Sequence, residues 1–529
     1  MKTKAISLIF SAFTLSLSAQ TLEDGIKALD CEQYSYAQRI FSLLHSTNPL
    51  DAEVLYYKGM AFYATGMKDS AKACFEQGIV LNNNNSKVAY NYTGLGRVML
   101  DEKNTAEAKK NFDKAFSLTS SKDPKVYMFA GEAYAFTTGS KDLPQAINLL
   151  STAISIDKKN PNLYMSLGDI YTGQYDGGGK AMSNYEMASE INSANPKAFC
   201  RIGQLYIKAK NPSEALDALR KSLALDSTWI PAYREMGEAY FQMHRYEEAK
   251  EAYKKYISKA ELKISALSRY ASFQFLSKDY KGTIATVSQV TKMDSSNAVM
   301  NRLIGYSYYE QGKFQEGLAE MKRFFSKADT SKILSGDYEY YGKLLLKTNN
   351  DSMGIFFLRK AIDMDSSKAE LHSDIAQSYY QKKRYREAAS EYEARNERIT
   401  PKAQDYFLLG KAWYYAQEYL KADTAFSKVI ELQPAAAIGY LWRGRSSSLL
   451  DPEMKSGQAK PYYEKFAEIA SADSASVLKY RKDLVEAYSY LGNYYLQKDD
   501  KQNTLLYYRK VVEMDPENKD ARKVIEGMK

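Results

Sequence analysis

The sequence predicts an all-α solenoid, and three observations predict it. A small residue inside an apolar stretch returns at a nearly fixed interval along almost the whole chain. An alanine and a large apolar residue four positions apart follow it at a constant distance. The stretch itself carries its apolar residues at helical spacing. The small residue falls at Gly25, Gly59, Gly96, Gly131, Gly168, Gly203, Gly237, Ala271, Gly305, Gly342, Ala376, Gly410, Gly444 and Gly492. Seven of the thirteen intervals are 34 residues, five are 35 or 37 and one is 48, and a repeat of that period fixes the architecture before any other reading.

Each element follows from residue chemistry. In the segment from Tyr233 to Tyr240, Tyr233, Met236, Gly237 and Tyr240 fall on one helical face. Glycine inside a helix costs about 1 kcal/mol relative to alanine, so its presence at twelve of fourteen equivalent points requires close approach of a second helix. The second helix is the one carrying Ala37 with Phe41, Ala71 with Phe75, Ala108 with Phe112, Ala215 with Leu219, Ala249 with Tyr253, Ala388 with Tyr392 and Ala422 with Phe426. The alanine is expected to fit against the glycine. Each unit is therefore a helix–turn–helix hairpin whose apolar edge is buried only by stacking on neighbours, with nearest-neighbour contacts alone. Pro49, Pro161, Pro196, Pro434 and Pro516 are read as closing units.

These residues resemble the tetratricopeptide repeat family, whose W-x2-L-G-x2-Y…A-x3-F…P pattern is matched in most units, with Tyr usually in place of Trp. The resemblance covers Thr21 to about Asn518. It implies about fourteen hairpins wound into a right-handed superhelix. The expected organisation is a signal peptide over 1–20, the repeats over 21–518, and a capping helix over 519–529. Repeats near 264–297 and 335–368 are degenerate, because Thr283 and Gly354 replace the expected alanine, and local opening is expected to begin near Ala271 to Thr283. The turns around Thr137 to Pro144 and Tyr175 to Lys180 are lengthened, and a helix near 474–498 is extended.

Composition narrows the function classes. The chain has 529 residues, 45% hydrophobic and 26% charged, which excludes wholesale disorder. The net charge of +9 is spread without a long basic run, so no nucleic-acid partner is expected. Cys31, Cys74 and Cys200 are far apart and outside any C-x-x-C motif, and read as packing residues. Lys2 and Lys4 precede an apolar stretch from Ala5 to Ala19 that ends L-S-A-Q, the pattern of a cleavable secretory signal. The stretch is short of the roughly 20 residues that span a bilayer. No transmembrane segment is expected in the mature chain, which is read as exported, periplasmic or associated with an outer membrane.

Chemistry-bearing motifs are weak. G-G-G-K at Gly177 to Lys180 lacks the upstream Gly and the Ser/Thr of a phosphate loop, with Gln174 and Ala181 in those places. His45, His244 and His372 lie in separate repeats without zinc-ligand spacing. No enzyme activity, metal or cofactor is expected, and the repeats leave no space for a catalytic domain.

In the resembled family the first helix of each hairpin lines a groove that binds extended peptides or protein surfaces. Transferred position by position, that implies a contact set of aromatics, Tyr63, Phe241, Phe275, Tyr309, Tyr380 and Tyr414, and of cations, Arg97, Arg234, Arg302, Lys343, Lys411 and Arg445. Aromatic residues and Arg dominate interface energies. The same rings suit packing against the next repeat, and that alternative stays open. Asn stands at the clamp position of carboxylate-binding repeats only at Asn493, so a chaperone-tail adaptor is not expected. The leading expectation is a non-catalytic exported scaffold or adaptor for protein partners in a cell-envelope assembly, secretion or uptake complex. The alternatives are a polysaccharide-binding accessory protein of polymer export and, last, an enzyme with a cryptic site.

Overall fold

The structure is a computed structural model that describes residues 20–81, 86–294 and 300–528. The expected signal peptide, apart from Gln20, lies outside the described residues. Among these, 29 α-helices form and no strand does. The chain divides into two compact units, Met1–Leu303 and Ile304–Lys529.

The first unit stacks eight hairpins: α1 (Leu22–Asp30) with α2 (Tyr34–Thr47), α3 (Ala52–Ala64) with α4 (Lys68–Val80), α5 (Val88–Asp101) with α6 (Thr105–Leu118), α7 (Pro124–Phe136) with α8 (Leu143–Ile156), α9 (Pro161–Thr172) with α10 (Gly178–Ile191), α11 (Pro196–Lys208) with α12 (Pro212–Leu225), α13 (Ile230–Gln242) with α14 (Tyr246–Ile257), and α15 (Ile264–Leu276) with α16 (Tyr280–Met293). Helix α17 (Asn301–Glu310) begins at the unit boundary and pairs with α18 (Phe314–Lys327). The second unit continues with α19 (Ser335–Lys347) and α20 (Asp351–Met364), α21 (Leu371–Gln381) and α22 (Tyr385–Asn396), α23 (Ala403–Tyr415) and α24 (Tyr419–Leu432), and α25 (Ala437–Leu450) and α26 (Lys460–Ala470). It ends with α27 (Ser474–Gln497), α28 (Lys501–Met514) and α29 (Lys519–Gly527). Helix α27 has 24 residues and a non-helical Tyr480; in α29, Ala521 is fully buried.

The recurring glycines do what their spacing requires, against a large side chain as well as the expected alanine. A Cβ placed on Gly410 would lie 2.6 Å from Cε1 of Phe426, and one on Gly237 would lie 2.9 Å from Cδ2 of Tyr253. The large side chain of the second helix takes up most of the space, and the backbone of the expected alanine comes close as well, with Ala249 O 3.3 Å and Ala215 O 3.3 Å from the Cβ positions of Gly237 and Gly203. The large side chain sits sixteen residues after the glycine in most hairpins, as Phe41, Phe75, Phe112 and Leu219 do after Gly25, Gly59, Gly96 and Gly203. Where Ala271 replaces glycine, the residue sixteen later is the smaller Val287, and both are fully buried. Thr283, in the same hairpin, is fully buried and donates its hydroxyl to the Asp279 carbonyl at 2.8 Å.

The turns repeat as faithfully as the helices. Seven residues after the small residue the backbone enters the left-handed region, at Glu32, Gly66, Lys103, Lys210, His244, Lys278, Gly312, Asn349, Lys383, Gln417 and Asp499, with φ between 56° and 81°. Pro161 and Pro196 open the next helix rather than close the previous unit. Proline is favoured at the first helical position because its missing N–H has no partner there. Asn160 and Asn195 cap these helices, accepting from the Asn162 and Lys197 amides at 3.1 and 3.0 Å.

Contacts in the first unit are not confined to neighbours, which corrects the nearest-neighbour expectation. The first hairpin touches the sixth and seventh: Asp30 meets Lys197 at 2.8 Å, and the Glu32 carboxylate accepts from the Tyr256 hydroxyl at 2.6 Å. Successive hairpins turn in one sense, so the accumulated rotation returns the first beside the seventh.

Candidate partner-binding faces

The candidate aromatics share one local arrangement. Phe241, Phe275, Tyr309, Tyr380 and Tyr414 each lie near the end of a first helix and pack on the ring five residues later, the first residue of the second helix. The partners are Tyr246, Tyr280, Phe314, Tyr385 and Tyr419, with ring centroids 6.1, 5.7, 5.7, 5.1 and 5.7 Å apart. These rings close the hairpin turn and keep one half-buried edge outward. In Tyr63 the hydroxyl instead donates to Asp101 Oδ2 at 2.8 Å. That carboxylate is also reached by the Thr137 hydroxyl at 2.6 Å, the Thr138 amide at 2.7 Å and Lys68 at 2.9 Å. Burial alone would raise the Asp101 carboxyl, but this ring of donors holds it well below the usual carboxylate range.

The candidate cations divide by whether the protein already neutralises them. In the first unit, Arg234 binds Glu32 and Glu235, the latter at 2.8 Å, so its guanidinium is taken up between hairpins. Arg302 is buried, with 7% of its surface accessible, and is withdrawn from the face where a partner would meet it. Arg97 lies over the Tyr63 ring at 4.8 Å, and its buried Nε has no hydrogen-bond partner. Sequence reasoning missed Arg269, which caps Phe241 at 4.3 Å while pairing with Glu238.

In the second unit, Lys343 pairs with Glu339 at 2.7 Å and lines, with Tyr309, Asp374 and Gln377, a cavity of about 90 Å³. Arg445 is held by Asp483 at 2.7 Å and Glu486 at 2.6 Å and covers the Trp442 ring at 5.0 Å. Lys411 differs from both. Its ammonium lies 6.0, 5.8 and 5.5 Å from the rings of Tyr380, Phe407 and Trp442, and no carboxylate among the described residues is within ion-pairing distance. Three candidates thus come together, Lys411 between Tyr380 on α21 and Trp442 on α25, with Tyr414 5.2 Å from the same Trp442 ring. Phe407 and Trp442 carry the arrangement and were not singled out from sequence; the tryptophan, one of only three, was the available signal.

Of the three histidines, one is built into the packing. His372 is buried, facing Glu391 through Nδ1 at 2.6 Å, while Arg398 lies 3.0 Å from Nε2. Because the guanidinium can only donate, Nε2 accepts and Nδ1 carries the proton. The thiols are likewise packed away, and burial pushes Cys31 and Cys200 up to about 12.

Stacked helical hairpins whose first helices carry half-buried rings and cations define a repeat-built protein. Tetratricopeptide repeat profiles match residues 196–228, 230–258 and 485–518, and a second such profile matches 53–77. The C-terminal part of a TPR repeat-containing protein from Cytophaga hutchinsonii is 33% identical, over 49% of this chain and 99% of that one, with a TM-score of 0.42. A TPR repeat-containing protein of Methanocaldococcus jannaschii is 24% identical over 235 residues, 42% of this chain and 36% of the relative, so the match spans about a third of that protein. An uncharacterized lipoprotein of Treponema pallidum is 23% identical over 137 residues, 26% of this chain and 67% of the relative. The chain belongs to the tetratricopeptide repeat family.

Proposed function

We propose that the protein is a non-catalytic scaffold that binds protein partners along the inward helix faces of its repeats. The observation that carries this reading is Lys411. A cation held among Tyr380, Phe407 and Trp442, with no carboxylate of its own, is poised to accept an acidic side chain from an extended partner, and the adjoining ring edges supply apolar contact. The polysaccharide reading is weaker here. Trp442 is 9% accessible and lies against both Lys411 and Arg445, so this ring offers no open face on which a sugar could stack.

The finer reading is export through the signal-like segment over 1–20, with the protein working in a cell-envelope assembly, secretion or uptake complex. Similarity to an uncharacterized lipoprotein of Treponema pallidum agrees with export. Among the described residues no helix is long and apolar enough to cross a membrane. In-cell crosslinking followed by mass spectrometry tests the proposal. The expected result is a reproducible envelope protein crosslinked to the wild type and reduced for Lys411→Glu. Equal recovery with both proteins, or recovery of no specific protein, would remove the reading.

A further inference from the structure

The first unit returns on itself through a seam between residues about 200 apart in sequence, and the seam is built unlike the joints between successive hairpins. Neighbouring hairpins join through buried rings and alanines. The seam is mostly ionic and hydrogen-bonded. Lys27 meets Asp226 at 2.6 Å and Asp30 meets Lys197 at 2.8 Å. Glu32 binds Arg234 and accepts from Tyr256. The Glu261 carboxylate accepts from both the amide and the hydroxyl of Ser35 at 2.9 Å, and the Glu261 amide donates to the Glu32 carbonyl at 3.0 Å. Lys263 lies over the Tyr34 ring at 4.6 Å.

The apolar part of the seam is small. Cys31, with 2% of its surface accessible, packs into a cluster containing Trp229 and Ile230. Beside it lies a polar cavity of about 210 Å³ lined by Asp30, Glu32, Lys197, Arg201, Trp229 and Arg234. The buried Trp229 Nε1 in that wall has no hydrogen-bond partner. Ion pairs with part of their surface in water contribute little each and weaken with salt. A joint built from them beside a polar cavity separates more readily than the apolar joints around the rest of the circuit.

We propose that the α1–α2 hairpin is an electrostatic latch that closes the first unit into a ring and releases as one piece, opening a lateral entrance to the inward faces of its first helices. Release separates the Asp30–Lys197, Glu32–Arg234 and Ser35–Glu261 contacts together, while the glycine–ring joints of the remaining hairpins stay closed. A partner segment then enters through the side of the ring without threading its end through it. The latch stands on the seam geometry alone and holds whatever the partner is.

Cys31 supplies a built-in reporter, because the seam covers it, whereas Cys74 is buried within α4, away from the seam. The test is thiol alkylation of the full chain under native conditions, read for each cysteine by peptide mass spectrometry. Raising NaCl to about 1 M, where the screening length falls to roughly 3 Å, is expected to accelerate Cys31 alkylation relative to Cys74. Asp30→Lys, which places like charges together, is expected to raise the Cys31 rate by about tenfold or more. The double variant Asp30→Lys/Lys197→Asp restores the pair with each charge suited to its helix end, cation at the α1 C-terminus and anion at the α11 N-terminus. It is expected to return the Cys31 rate to that of the wild type. A Cys31 rate unchanged by salt and by Asp30→Lys would overturn the latch. So would an equal rise at Cys31 and Cys74, which marks unfolding of the whole unit, or failure of the double variant to restore protection.

Discussion

The contact between Gly410 and Phe426 makes a prediction whose sign, and not only its size, can be checked. Phe426 is fully buried between the rings of Phe407 and Trp442, 6.0 and 5.6 Å away, so it has little room to retreat. In Gly410→Ala the new methyl would stand 2.6 Å from Cε1 and 2.8 Å from Cδ1 and Cζ of that ring. Overpacking of this kind costs about 1–3 kcal/mol, and alanine's better helix propensity offsets about 1 kcal/mol. The net expectation is destabilisation of up to roughly 2 kcal/mol. Phe426→Ala alone is expected to cost about 3–5 kcal/mol through the cavity it leaves. In that background the clash is gone, the methyl fills part of the void, and Gly410→Ala becomes stabilising by about 1 kcal/mol. The coupling between the two changes is then about 1–3 kcal/mol. A repeat array opens locally before it unfolds as a whole, so the assay is native-state hydrogen exchange at the α23 and α24 amides. The same sign for Gly410→Ala in both backgrounds would refute the argument that the glycine is there to admit the ring. The pair Ala376 and Tyr392, which are 0% and 6% accessible, shows that a repeat can seat an alanine beneath a ring when its surroundings are built for it.

Other expectations follow from the same geometry. Lys383 is exposed with φ of 59°, and a side chain in that region costs about 1–2 kcal/mol. Lys383→Gly is therefore expected to stabilise by about 0.5–1 kcal/mol after glycine's extra chain entropy, read as a shift in denaturant midpoint. Asp101→Asn is expected to destabilise the α5–α8 hairpins by about 2–4 kcal/mol at neutral pH, since it uncouples Lys68 and weakens the Thr137 and Tyr63 bonds. Because the Asp101 carboxyl is held low in the folded chain, its contribution is full above about pH 4 and is lost as the pH falls further. Thermal melts should show the gap between wild type and variant closing in acid. Lys411→Met is expected to preserve stability within about 0.5 kcal/mol while weakening recovery of any acidic partner, as measured by crosslinking yield.

The hairpin repeat was legible because glycine within a helix has a cost that only packing explains, and Gly59, Gly96 and Gly410 announce it directly. The pairing of Phe241 with Tyr246 or Tyr380 with Tyr385 was also present in the text of the sequence, as aromatics five apart across each turn, and would have assigned those rings to the hairpin first. The left-handed turn residue was hidden, since only Gly66 and Gly312 mark it among residues such as Lys210, His244 and Gln417. Ion pairing was hidden for a different reason. Nothing local reveals that Arg234 spends its charge on Glu32, about 200 residues earlier, or that Arg302 is buried while Lys411 has no carboxylate within pairing distance among the described residues.

The closed first unit sets a rule on copy number. In an open array a repeat can be duplicated or lost with little effect on the others, because each hairpin answers only to the one before and the one after. Here Asp30 must arrive opposite Lys197, and Ser35 opposite Glu261. Removing or adding one hairpin between α2 and α11 would carry those partners past one another. Along this arc the number of hairpins is therefore part of what brings the two sides of the seam together.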